Sequence, residues 1–214
     1  MGNLSQPAIL SRSCDNGVVE VILDNPPVNA LRLDDYAGLS GAITAACQRG
    51  ADCILLGARG RLFCAGGDLK ERVADGAVPD LAEPIALLHT LRRCPVPLIT
   101  RVQGAAAGVG ALIALAGDLI IASPEARFIL PEVDTGAIGG YRSLACYLPM
   151  PLTRFMSMTG RSVSAAELYE AGIIARLVDA AELDEEACAM AGQVAKRRTF
   201  IGDPRALRPS LASW

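Results

Sequence analysis

Twice in this chain an apolar run ends in a small-residue turn and then enters a helix-like pattern. The two stretches are "DCILLGARGRLFCAGGDLKE" (52–71) and "PLITRVQGAAAGVGALIALAGD" (97–118). Strand, glycine turn and helix in succession imply α/β layering with parallel pairing of the strands. The same geometry presents backbone N–H groups, because the first turn of a helix leaves its amides without acceptors and carries partial positive charge. Two such turns facing each other could hold one oxygen that becomes negative during a reaction. Small residues matter there because a side chain would block the approach. One such donor is worth about 2.7–4 kcal/mol to a transition state. The competing explanation is tight packing of helix on sheet.

The rest of the chain fits the same layering. "AILSRS" and "VVEVILD" read as two strands around Asn16-Gly17, a strong hairpin signal. "NPPVNAL" must leave the sheet, since two prolines cannot continue a ladder. Asp34 is expected to cap a helix running to about Arg49, which Gly50 stops. Further helices are expected at about 81–93, 109–116, 141–148, 151–159, 164–171 and 182–197. Residues 74–80 and "PEVDTGAIGG" read as loops, and "DLIIAS" and "ARFIL" as short strands.

Bulk properties bound the function. With 214 residues and 51% hydrophobic content, the chain can bury a sizeable core. A net charge of −3 with both signs scattered, and 4% aromatics, disfavour a nucleic-acid groove. Seven dispersed cysteines without a CxxC pair read as reduced thiols in a cytoplasmic protein. "MGNLSQPAILSR" lacks the apolar core of a secretory signal, and Ala105 to Gly117 is too short and glycine-rich to span a bilayer. No membrane partner is expected. The lone histidine, His89, and the absence of a carboxylate cluster argue against a metal site. Cys64 reads as packing, Ser143 and Ser164 lack a nucleophile context, and Asp118 reads as a cap or core ion pair.

In order, "NPPVNAL", "RGRLFCAGGDLKE", "PLITRVQGAAAGVGALIALAGDLIIASPEARFILPEVDTGAIGG" and "MTGRSVSAAELYEAGIIARLV" resemble the landmarks of the crotonase superfamily, the enoyl-CoA hydratases and isomerases. The resemblance covers about residues 8 to 197. It implies a spiral of repeated ββα units over residues 1–198, helical from about 150, followed by a short irregular tail (199–214). It also implies a homotrimer or dimer of trimers acting on an acyl-CoA or acyl-carrier thioester. Coenzyme A would be part of the substrate, and no separate cofactor is called for.

By position, the resemblance puts an oxyanion hole at the N–H groups of Ala65 and Val109. Val109 stands where the family usually has glycine. Gly66, Gly67, Asp68 and Leu69 would lie beside the CoA moiety, together with Gly108, and Lys70 would meet a CoA phosphate. Family hydratases use two glutamates. The one in the "PE" loop is present as Glu132, whereas the helix position is Leu112. Hydration needs water activated while a proton goes to the neighbouring carbon, work that two carboxylates share. A single carboxylate can still move a proton along an enolate, which is double-bond isomerisation. Burial in "FILPEV" would raise the Glu132 pKa toward a useful base.

Asp134 could assist. The "EVDTGAIGGYRSL" loop is shorter than usual and resembles a branch that includes ring-opening acyl-CoA hydrolases, with Tyr141 and Arg142 facing substrate. Hydratase, hydrolase and decarboxylase chemistries on the same scaffold stay open. So does a non-catalytic binding homologue, suggested by Leu112 and the short C-terminus.

Overall fold

The computed structural model describes residues 8–68, 81–131 and 143–208. β1 (Ile9–Ser13) and β2 (Val18–Leu23) form the expected antiparallel hairpin. Its turn puts Asn16 and Gly17 at positive φ, and the Cys14 N–H closes it onto the Val18 carbonyl at 2.8 Å. β3 (Cys53–Ala58), β4 (Leu98–Val102), β6 (Leu119–Ala122) and β9 (Arg176–Leu177) extend the sheet in parallel, in the order β1-β2-β3-β4-β6-β9. A second sheet pairs β5 (Ala105–Ala107) in parallel with β7 (Arg127–Ile129), and β7 antiparallel with β8 (Val163–Ser164).

Alternation along the parallel strands divides the core in two. Val19, Val21, Leu23, Ile54 and Leu56 face α1 (Leu33–Gln48), α2 (Ala82–Arg92) and α3 (Val109–Leu115). Val18, Cys53, Leu55, Ile99 and Ile121 face α6 (Leu183–Lys196) instead. Ala187, Ala191 and Ala195 repeat at i, i+4 on α6 and let that helix lie close to the sheet. Between α3 and α6 come α4 (Met150–Thr159) and α5 (Ala165–Glu170), and α7 (Arg198–Ile201) follows α6.

Two expectations are corrected. Asp34 does not cap α1. The Asp35 carboxylate reaches back one turn and accepts the Arg32 N–H at 2.8 Å. β5 replaces what read as part of a glycine turn, because "AAA" gains a partner strand that its own weak β-propensity does not announce. The helix expected at 141–148 begins outside the described residues.

Ser164 caps α5 reciprocally. Its hydroxyl accepts the Glu167 N–H at 3.2 Å, and its own N–H and O–H go to the Glu167 carboxylate at 2.8 and 2.6 Å. Those bonds hold the Glu167 pKa below the usual carboxylate value.

On the α6 side the sheet carries a buried ion network. Glu20, 1% exposed, is paired with Arg12 and with Arg101, and Arg101 also reaches Asp184 at 2.8 Å. Gly57 makes room for it, since a Cβ there would meet the Arg101 guanidinium at 2.7 Å. A cavity of about 610 Å³ opens beside these charges. None of the residues that the sequence assigns to the site lines it.

Glycines on open helix surface behave oppositely. A methyl group added at Gly41 in α1 or at Gly192 in α6 would meet nothing within 4 Å. Replacing either with alanine should raise stability by about 0.5–1 kcal/mol, through helix propensity and a less flexible unfolded chain. Urea denaturation of each variant checks this, and a decrease for both would overturn it.

Candidate active site

The turn after β3 and the turn around β5 meet edge to edge. Cys64 and Ala106 form a parallel bridge, with the Cys64 N–H on the Ala105 carbonyl at 3.2 Å and the Ala107 N–H on the Cys64 carbonyl at 2.8 Å. Beyond this bridge the chains diverge into residues 65–68 on one side and the start of α3 on the other. Glycine is required at the points of approach. Gly66 has φ +93°, and a Cβ there would lie 2.8 Å from the Ala107 carbonyl oxygen. A Cβ on Gly110 would lie 2.6 Å from the Cys64 carbonyl oxygen.

Val109 is the first residue of α3, so its N–H is one of the helix's first four and has no intrahelical acceptor. Gly108 caps that end at φ +55° and donates its N–H to Ile129 at 2.9 Å. The Val109 side chain is buried in the core, as is Leu112, 4% exposed, one turn along. All seven residues of α3 are buried, so the helix brings no charge to the site.

Ala65 is exposed, and its N–H donates to the Val28 carbonyl at 3.0 Å. A ligand oxygen reaching this amide meets a donor that is already engaged. Val28 belongs to "NPPVNAL", which is sewn to the turn by further bonds. The Leu31 N–H goes to the Gly66 carbonyl and the Asp68 N–H to the Leu31 carbonyl, both at 2.8 Å. The centre of the seam is Asn29, buried at 3% and held at φ +53°. Its amide donates to the carbonyls of Arg59 (2.8 Å) and Leu62 (3.0 Å), and its oxygen accepts the Asn25 N–H at 2.8 Å.

Neither Val28 nor Asn29 stood out in the sequence. The available signal was an asparagine just after a proline pair, a residue type that tolerates positive φ and bonds backbone on both sides.

Cys64 is fully buried. Burial pushes its thiol up to about 12, and the sulfur accepts the Gly66 N–H at 3.4 Å, so it packs the turn. His89 lies half-buried on α2. Among the described residues no cluster of three or more His, Cys, Asp or Glu could hold a metal ion, and no helix is long and apolar enough to cross a membrane. Leu69, Lys70, Glu132, Asp134, Tyr141 and Arg142 lie outside the described residues.

Of the sequence-predicted site, the structure therefore brings together Ala65, Gly66, Gly67, Asp68, Gly108, Val109 and Leu112 on two joined turns.

Comparison with known proteins reaches the same architecture independently. The crystal structure of an enoyl-CoA hydratase from Mycobacterium smegmatis superposes with a TM-score of 0.86 at 27% identity, over 97% of this chain and 86% of that one. A (7aS)-7a-methyl-1,5-dioxo-2,3,5,6,7,7a-hexahydro-1H-indene-carboxyl-CoA hydrolase of Mycobacterium tuberculosis is 34% identical over 198 residues, 90% of this chain and 80% of that protein. A 1,2-epoxyphenylacetyl-CoA isomerase of Escherichia coli is 32% identical over 202 residues, 87% of this chain and 76% of that protein. The model of the enoyl-CoA hydratase/isomerase family matches residues 13–202. With the fold, the paired turns and this match in agreement, the chain belongs to the enoyl-CoA hydratase/isomerase family of the crotonase superfamily.

Proposed function

We propose that the protein binds an acyl-CoA or acyl-carrier thioester and moves a double bond along its acyl chain by way of an enolate, with one carboxylate as the base. The thioester oxygen would take the N–H groups of Ala65 and Val109 as negative charge develops on it. At Ala65 it would replace or share with the Val28 carbonyl. Glu132 would remove a proton from the carbon beside the enolate and return it further along the chain, so that no atom is gained or lost. Gly66, Gly67, Asp68, Leu69 and Lys70 would lie along the CoA moiety.

The observation that carries this reading is Leu112. On the helix where family hydratases have their second glutamate, this chain buries an apolar residue among core neighbours, and α3 offers no other titratable group. Water addition would lack half its machinery, while proton relocation by one carboxylate would not.

A second reading is hydrolytic ring opening of a cyclic acyl-CoA. It is favoured by the 34% identity to a relative named as such a hydrolase. It needs the same donors and base.

The test supplies 2-enoyl- and 3-enoyl-CoA thioesters to the wild type and to Glu132→Gln and resolves products by mass. A mass-neutral conversion lost in Glu132→Gln is expected. A product heavier by one water, with the same dependence on Glu132, would overturn isomerisation in favour of hydration. Turnover of a cyclic ketone carried on a CoA thioester, with opening of its ring, would instead select the second reading.

A further inference from the structure

We propose that Cys47 and Cys94 form a reactive dithiol that closes to a disulfide, a covalent clasp between α1 and the end of α2. Cys47 sits in the last turn of α1 and is half-buried; Cys94 follows the C-terminus of α2 and is 2% exposed. Their sulfur atoms are 3.7 Å apart. A disulfide needs about 2.05 Å, so closure asks the two sulfurs to approach by less than about 2 Å.

The sulfurs meet because α1 and α2 pack on one core that includes Leu39, Ile43, Leu87 and Leu91. The backbone at Cys94 is also pinned from the C-terminal tail. Arg208 donates to the Cys94 carbonyl at 2.6 Å, and Arg198 to the Pro95 carbonyl at 2.7 Å. Cys94 therefore presents its sulfur from a fixed position.

The alternative is that two small side chains merely fill a helix contact. The geometry points further, because the two sulfurs are direct neighbours, with Cys47 the half-buried residue of the pair and Cys94 the enclosed one. The chemistry divides accordingly. Cys47 attacks a peroxide, forming an S–O bond and breaking O–O, with one water released after protonation. The Cys94 sulfur then displaces the sulfenic oxygen, forming S–S, and its proton leaves in a second water. Two thiols lose two electrons and one peroxide becomes two waters. Burial pushes the Cys94 thiol up to about 12, which makes it the poorer first nucleophile of the two.

The test uses the full chain carrying Cys188→Ser, which removes the exposed thiol. After hydrogen peroxide, non-reducing peptide mapping should find Cys47 joined to Cys94, and the thermal midpoint should rise by roughly 5–10 °C, as expected for a closed loop in a domain of this size. Dithiothreitol should reverse both. Adding Cys47→Ser, at the half-buried member of the pair, should abolish both. Cys47 recovered as sulfinic or sulfonic acid with Cys94 still a thiol would overturn the clasp, as would an unchanged midpoint rise in the variant with Cys47→Ser.

Discussion

Gly110→Ala should prise the two turns apart, lowering kcat/KM on the thioester substrate about a hundred-fold and costing about 2 kcal/mol of stability. Taken alone, alanine in a helix is favoured over glycine by about 1 kcal/mol, so the sign depends on what the new methyl meets. Here it meets the Cys64 carbonyl oxygen at 2.6 Å and the Cys64 Cβ and Sγ at 2.8 Å. The carbonyl cannot retreat cheaply, because it accepts the Ala107 N–H at 2.8 Å across the bridge joining the turns. Either α3 moves away or that bond breaks. Both displace the Val109 N–H relative to Ala65, and a shift of about 1 Å in a catalytic group is enough for a hundred-fold loss. Parallel measurements of thermal midpoint and turnover decide it. A variant as active as wild type and more stable, in the manner expected of Gly41→Ala and Gly192→Ala, would show that the bridge does not position the site.

The elements that could be read in the sequence are those whose signal is local. Asn16-Gly17 specified its hairpin through positive φ at two successive residues, and "CILLG", "LITRV" and "LIIA" announced buried parallel strands by apolar continuity. What escaped was set by partners distant in the chain. β5 is three alanines, a strand only because Cys64 lies on one side and β7 on the other. The Asp34 expectation missed by one position, because a side chain from inside the first turn did the capping. Glu20 and Arg101 gave no hint of pairing across eighty residues of sequence.

At the site, the glycine turns and Leu112 were legible because they sit in ordered motifs. The Val28 carbonyl on the Ala65 amide was not. It is a backbone-to-backbone bond, and no side chain records it. On the function proposed above, thioester binding would exchange one oxygen for another at Ala65 instead of filling an open amide.

Arg208→Ala should cost about 3 kcal/mol and lower the thermal midpoint by roughly 6–12 °C, a larger loss than an arginine near a chain end would suggest. The guanidinium is 9% exposed and forks onto both Asp118 oxygens, at 2.7 and 2.5 Å. Its remaining N–H groups reach the carbonyls of Arg92 (3.0 Å), Cys94 (2.6 Å) and Val96 (3.3 Å) at the end of α2. Asp118 in turn accepts the Leu98 N–H at 2.8 Å and donates its own N–H to the Leu98 carbonyl at 2.7 Å, fixing the entry to β4 against the turn after α3. Truncation leaves a partly buried carboxylate and several carbonyls without their donor, and an uncompensated charge of this kind is the expensive half of a broken pair. Arg208→Lys should recover less than half of the loss, because one ammonium cannot span both carboxylate oxygens and the Cys94 carbonyl together. Chemical denaturation of the three proteins measures it. A change within about 0.5 kcal/mol for Arg208→Ala, the range of an ordinary surface substitution, would mean that the tail rests on the domain without holding it.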